Sequence, residues 1–380
     1  MASSSSHVAM QSFSLTNDIK EVPSDDAIYK YDPEENKKVI NAAAWKNDPN
    51  YFKTCKISAV ALIKMVIHAR SGVPYEIMGM MQGKVVDRTL VIMDAFALPV
   101  QGTETRVNAA NEANEYMVQY IQDGEKVHRL ENAIGWYHSH PGYGCWLSGI
   151  DVSTQLMSQK FQDPFVAVVI DPNRTISAGR VDIGAFRTYP EDYKPPGGGG
   201  ADYQSIPLSK IEDFGVHANQ YYQLDVEIFS SSLDKELLGQ LWNKYWVNTL
   251  SQSPLISNRD YAVSQLSDLQ AKLSKLSNSV ASSRAVLPST DGMVPGAKLS
   301  KEKEKAEEKK KKPEESQLSK SVKDSTKIAA EAQHGLIAQV LKDVIFSTRP
   351  GQPPSSSTAA TVAGLASSAA ATEDSAMALS

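Results

Sequence analysis

The sequence has 380 residues, a formal net charge of -5 and 41% hydrophobic residues. That is apolar material for one or two ordinary domains, and the mild acidity gives no reason to expect nucleic acid as a partner. Two cysteines, Cys55 and Cys145, make no disulfide framework and suit an intracellular chain, no run approaches the roughly 18 apolar residues of a membrane span, and the first residues lack the basic-then-apolar pattern of a signal peptide.

In chain order, residues 1–25 are small and polar and are expected to form a mobile tail. Asp32-Pro33-Glu34-Glu35 is a helix start, with a capping residue, a proline at the first helical position and acids in the first turn. That helix is expected to reach about Trp45, where Asn47-Asp48-Pro49 breaks it. Phe52–Ser58 reads as a short strand and Ala59–Ala69 as a buried helix, with Val60, Ile63, Met65, Val66 and Ile67 apolar and Ser71-Gly72 ending it. His68 on this helix reads as an ordinary histidine. Tyr75–Gln82 and Leu90–Leu98 read as a hairpin whose turn region is Gly83–Thr89. Glu76 stands inside the first of these apolar strands, where a carboxylate costs free energy unless it has a partner. It is either an outward-facing strand residue or a functional group.

Pro99–Asn108 is polar, contains Gly102 and reads as a loop that moves at low cost. Ala109–Ile121 reads as a helix with Tyr116, Met117, Tyr120 and Ile121 on one side, Asn132–Tyr137 as a strand, and Ser148 onward as a helix to about Phe161. Phe165–Ile170 is a continuous apolar run, a central strand bounded by Asp171-Pro172-Asn173, and Ser177–Phe186 is the next strand. Strands alternating with helices predict an α/β domain over residues 26–230, a sheet sandwiched by helices. Within it, 193–200 reads as a flexible insertion and 203–229 as strand-like.

From Leu233 the period changes. Leu237, Leu241, Trp242, Tyr245 and Trp246 recur at three and four residues, and Val263, Leu266, Leu269, Leu273, Leu276 and Val280 form a narrow helical seam suited to another helix. Residues 231–285 are therefore expected to be a helical partner-binding region. Residues 286–316, almost all Lys and Glu from 301 on, read as a disordered linker. Residues 317–347 read as a C-terminal helix, and 348–380 as a disordered tail rich in Ser and Ala.

The chemistry concentrates in one stretch, Gly135 to Asp151. His138 and His140 are one residue apart, so at a strand end their side chains point to one side. Asp151 follows. Two neutral imidazoles and a carboxylate are a usual catalytic zinc set, with a further position left for water.

His138-Ser139-His140-Pro141 followed by Ser148-Gly149-Ile150-Asp151 resembles the JAMM motif of MPN-domain metalloproteases, a motif completed by an upstream glutamate. Ala133–Tyr137 and Gly142–Leu147 are similar to the branch of that family that serves the constitutive-photomorphogenesis signalosome, and the likeness extends over residues 25–285 and 317–347. The resemblance implies one zinc per chain, held by His138, His140 and Asp151. It makes Glu76 the general base and Ser148 the group that stabilises the oxyanion. It further implies isopeptide cleavage of a Nedd-type modifier from cullin subunits of ubiquitin ligases. The partners would be other signalosome subunits, especially another MPN-domain subunit, met through the C-terminal helices in cytoplasm and nucleus. A proteasome-lid-type deubiquitinase carries the same motif. Non-catalytic MPN scaffolds have lost ligands that this chain keeps. The open metal position attracts oxygen ligands and Asp151 attracts a guanidinium, so the 99–108 loop is expected to fold over the site in the isolated chain as a brake, with Glu104 near the metal or Arg106 paired to a ligand carboxylate.

Overall fold

The computed structural model describes residues 24–102, 107–191, 193, 195, 204–236, 253–285 and 301–347. Residues 1–23 of the expected N-terminal tail, the expected C-terminal tail, residues 194 and 196–200 of the insertion, Glu104, Arg106 and the Leu237–Trp246 stretch lie outside the described residues.

Asp32 caps α1 (Pro33–Ala42) as its sequence predicts, its carboxylate accepting from the N–H groups of Glu34 and Glu35. A 3-10 turn over Ala44–Asn47 then leads to β1 (Thr54–Ser58) and α2 (Ala59–Gly72). The helix is buried on one stripe only. Ala61, Met65 and Ala69, spaced by four, face the core, whereas Ile63 and Ile67 are exposed. The hairpin is longer than its apolar runs suggest, with β2 spanning Glu76–Val86 and β3 spanning Thr89–Gly102. Gly83–Val86 is therefore strand, and the polar start of the expected loop pairs with β2, since backbone pairing does not ask for apolar side chains.

Gly83 is required where it stands. It sits at a register shift, and a Cβ there would lie 1.9 Å from the carbonyl oxygen of Val91 on β3. Backbone cannot step aside as a side-chain tip can, so Gly83→Ala should cost about 1–3 kcal/mol. A fall in Tm of several degrees checks this, and an unchanged melt would refute the close approach.

Next come α3 (Val107–Lys126), β4 (Asn132–Ser139), α4 (Gly149–Gln162), β5 (Val166–Asp171), α5 (Pro172–Ala178), β6 (Asp182–Thr188), α6 (Ile211–His217) and β7 (Tyr221–Phe229). Two of these correct the expectations. Ser177 and Ala178 end a helix instead of opening a strand, because Asp171 caps α5 and Pro172 takes its first position. Residues 211–217 are helical within the stretch expected to be strand-like, and Glu212 and Asp213 in the first turn favour that.

The strands form one sheet in the order β1-β3-β2-β4-β5-β6-β7, closed on itself by parallel pairing of β1 with β7. Side chains alternate across it. Val166, Val168 and Ile170 of β5 join α2 in one apolar cluster. Ala167 and Val169 join Val152 of α4 and Met117, Tyr120 and Ile121 of α3 in another. The expected α/β class, with helices on both faces of the sheet, is what the structure shows.

The C-terminal part is α7 (Arg259–Ala285) and α8 (Lys301–Ser347). The helix includes the Lys/Glu stretch expected to be a linker. Those residues are good helix formers and can pair at four-residue spacing. This part reaches the α/β domain through Asn258, just before α7, which donates to the Asn173 carbonyl at 2.8 Å, and through Asp268 of α7, which accepts from the Leu208 N–H at 2.6 Å. Of its seam, Val263, Leu266, Leu273 and Val280 are exposed.

Candidate metal centre

Strand β4 delivers the two histidines. Its antiparallel register with β2 sets Met78 opposite His138, so the start of β2, where Glu76 sits, lies beside the end of β4. The strand end is held on both sides. The His140 N–H donates to the Ile170 carbonyl at 2.9 Å, and Ser139 Oγ accepts from the Ile77 N–H at 3.0 Å. Both imidazoles are buried. Trp136 stacks on His138 at 4.6 Å between ring centroids, and its indole N–H donates to Gln155 Oε1 at 2.8 Å. Tyr143 stacks on His140 at 4.4 Å.

Ser148 is the N-cap of α4 and forms a capping box with Asp151. Asp151 Oδ2 accepts from Ser148 N–H at 2.9 Å and from Ser148 Oγ at 2.7 Å. The cap thereby aims the same oxygen at the histidines. It lies 3.3 Å from His138 Nε2 and 3.5 Å from His140 Nε2, and the two Nε2 atoms are 3.0 Å apart.

This donor set fits a metal. His138, His140 and Asp151 each offer one ligand atom, all within 4.8 Å of one another. Three lone-pair donors converging in a buried place repel unless a cation or protons lie between them. Burial would raise the Asp151 carboxyl, but the two imidazoles, His138 first, hold it well below the usual carboxylate range. Burial lowers His140. Burial also works to lower His138, yet Asp151 more than offsets it and the pKa rises above 6.5. A metal needs neutral imidazole, so protons compete for His138 at higher pH than for an ordinary histidine. Metal affinity should therefore be full above the raised pKa and fall about tenfold per pH unit below it. Zinc titrations across pH 5–8 check this, and a flat affinity there would be the contrary result.

Glu76 stands outside the ligand cluster, exposed at the first residue of β2. Its Oε1 accepts from the Tyr143 hydroxyl. Burial, and then the Glu76 charge, hold that phenol well above its usual range, so it remains a donor. His68 is elsewhere, hydrogen-bonded through Nδ1 to the Tyr137 hydroxyl at 2.9 Å.

Residues 50–164 match the JAB1/Mov34/MPN/PAD-1 ubiquitin protease family, and residues 251–347 match the Cop9 signalosome subunit 5 C-terminal domain. COP9 signalosome complex subunit 5 of Oryza sativa subsp. japonica is 55% identical over 359 residues, 93% of this chain and 95% of the relative. The protein of the same name from Dictyostelium discoideum is 54% identical over 89% of this chain and 96% of its own. That of Drosophila melanogaster is 51% identical over 90% and 98%. The chain belongs to the COP9 signalosome complex subunit 5 family.

The structure brings together four of the expected site residues directly, His138, His140, Asp151 and Ser148, and places Glu76 at their edge. Sequence reasoning missed Tyr143, Trp136 and Asp171. The last had a local signal: Asp171-Pro172 repeats the helix-start pattern of Asp32-Pro33.

Proposed function

We propose that this chain is the metal-dependent isopeptidase subunit of a COP9 signalosome, removing a Nedd-type modifier from cullins of ubiquitin ligases. The observation that supports it most is the convergence of His138, His140 and Asp151 in a buried donor set, with a carboxylate, Glu76, at its rim. His138 Nε2, His140 Nε2 and Asp151 Oδ2 would hold one zinc ion. When bound, zinc supplies Lewis-acid activation of water and of the scissile carbonyl.

Glu76 takes the proton from the attacking water and passes it to the leaving lysine amine. The Tyr143 hydroxyl, donating to one Glu76 oxygen, orients the carboxylate and leaves its other oxygen for the proton. Ser148 Oγ donates to Asp151 in this state, so its first task is to fix that ligand. To serve the oxyanion it must turn its proton towards the substrate carbonyl.

The partners we propose are signalosome subunits, among them another MPN-domain subunit, packing on the exposed Val263, Leu266, Leu273 and Val280 face of α7. The test is the purified complex, offered neddylated cullin and polyubiquitin chains side by side. Neddylated cullin should be cleaved at a rate at least tenfold above the chains. Preferential cleavage of polyubiquitin would give the proteasome-lid-type reading instead. In the same purification, Leu266→Asp with Leu273→Asp should leave the chain out of the complex, and normal assembly would sink the α7 assignment.

A further inference from the structure

We infer that Asp171 is a positioning residue for the metal ligand His140, acting through the backbone of Gly142–Gly144, with Arg174 holding Asp171 in place. The inference rests on the metal reading of His138, His140 and Asp151.

Asp171 is the last residue of β5 and is fully buried. A buried carboxylate persists where hydrogen bonds and an opposite charge meet it, and its two oxygens divide that work. Oδ1 accepts from Asn173 N–H at 3.0 Å and Arg174 N–H at 2.9 Å, the cap of α5, and also from Gly142 N–H at 2.9 Å. Oδ2 accepts from Gly144 N–H at 2.9 Å and lies 3.3 Å from Arg174 Nε. One side chain thus ties both glycines of the ligand loop to the end of the neighbouring strand.

The loop is held from its other side as well. Gly142 and Gly144 have φ values of +94° and +91°, a region that favours glycine. A Cβ on Gly144 would lie 2.7 Å from Arg174 Nη1, and one on Gly142 would lie 3.0 Å from the Tyr261 ring of α7. The loop therefore has little room to shift.

What this grip fixes is the Gly144 carbonyl, which accepts from His140 Nδ1 at 3.0 Å. A neutral imidazole has one N–H. Placing it on Nδ1 leaves the Nε2 lone pair facing His138 and Asp151. Hydrogen bonds to the far nitrogen of a metal-ligating histidine set its tautomer and ring orientation, and losing them costs about 10–100-fold in metal affinity. If Asp171 served only as the cap of α5, its loss would lower stability and leave metal binding alone.

Asp171→Asn separates the two roles. With its amide oxygen at the Oδ1 position the cap of α5 survives, while its NH2 meets Gly144 N–H and Arg174 Nε, donor against donor. The full chain carrying Asp171→Asn is compared with wild type and with Gly83→Ala, which disturbs the fold at the opposite end of β2 from Glu76. Zinc affinity is read by chelator competition, and ligand geometry by the visible spectrum of the cobalt(II)-loaded protein. Asp171→Asn should bind zinc about 10–100-fold more weakly, with an altered cobalt band, while Gly83→Ala keeps both at an equal or larger loss of Tm. An Asp171→Asn affinity within about twofold of wild type, or equal weakening in Gly83→Ala, overturns the inference. Should Asp171→Asn not fold, Gly144→Ala, which displaces the same carbonyl while keeping the Asp171 side chain, must show the weakening, and native affinity there overturns it. A wild-type chain that takes up neither zinc nor cobalt would fail differently, refuting the metal reading and this inference together.

Discussion

Purified His138→Ala or Asp151→Asn protein should carry only a small fraction of the one zinc per chain expected of the wild type, and should have no measurable isopeptidase activity. The site offers three protein ligands, so losing one leaves two, too few for the usual catalytic zinc site. The two variants reach that result by different routes. His138→Ala removes a buried ring stacked on Trp136 and leaves a cavity, so some loss of stability accompanies it. Asp151→Asn keeps an oxygen that can accept from Ser148 N–H, preserving the capping box that starts α4. It removes the charge that holds both imidazoles but opens no cavity, so its zinc loss should come with a smaller fall in Tm than that of His138→Ala. Metal analysis together with thermal unfolding makes the comparison. Near-stoichiometric zinc in both variants would refute the ligand assignment.

The proposed ligands were legible because they are local. His138, His140, Ser148 and Asp151 fall within one strand, one loop and one helix start, and each of those carries its own pattern of alternation or capping. Glu76 was ambiguous from its strand alone, because which strand lies beside β4 is a matter of pairing between residues far apart in sequence. Asp171 was harder still. Its part depends on β5 lying parallel to β4, with Ser139 opposite Ile170, which no period in the sequence reports. Closure of the sheet through β1 and β7 is of the same kind, joining residues 54–58 to 225–229. The helix at 211–217 and the early start of α8 at Lys301 are tertiary or propensity outcomes that alternation and charge counting misread. The seam on α7 was legible in its spacing, and it remains exposed along Val263, Leu266, Leu273 and Val280 because the helix meets the catalytic domain through other residues, Tyr261 among them.

Glu76→Gln should separate metal binding from chemistry. Glu76 is not among the clustered donors, and it stands exposed at the first residue of β2, anchored by the neighbouring Ile77 N–H on Ser139 Oγ. Glutamine has the same shape, and its amide oxygen can still accept from the Tyr143 hydroxyl, so the variant should fold and hold zinc as the wild type does. It cannot take a proton from water. Loss of a general base costs about 10²–10⁴-fold, and it should fall on kcat with KM little changed, because the missing contact matters in the transition state and not in the bound substrate. The neddylated-cullin assay on the assembled complex reads both constants, and metal analysis of the same sample reads the zinc. Zinc loss in Glu76→Gln would make Glu76 a ligand or a structural residue. Retained zinc with a rate within about tenfold of wild type would mean that another group moves the proton. Tyr143 cannot serve as that base, since burial and the nearby carboxylate keep its hydroxyl protonated. Among the described residues at the rim, Glu76 is the carboxylate that Tyr143 holds, which is why the largest rate effect without metal loss is expected there.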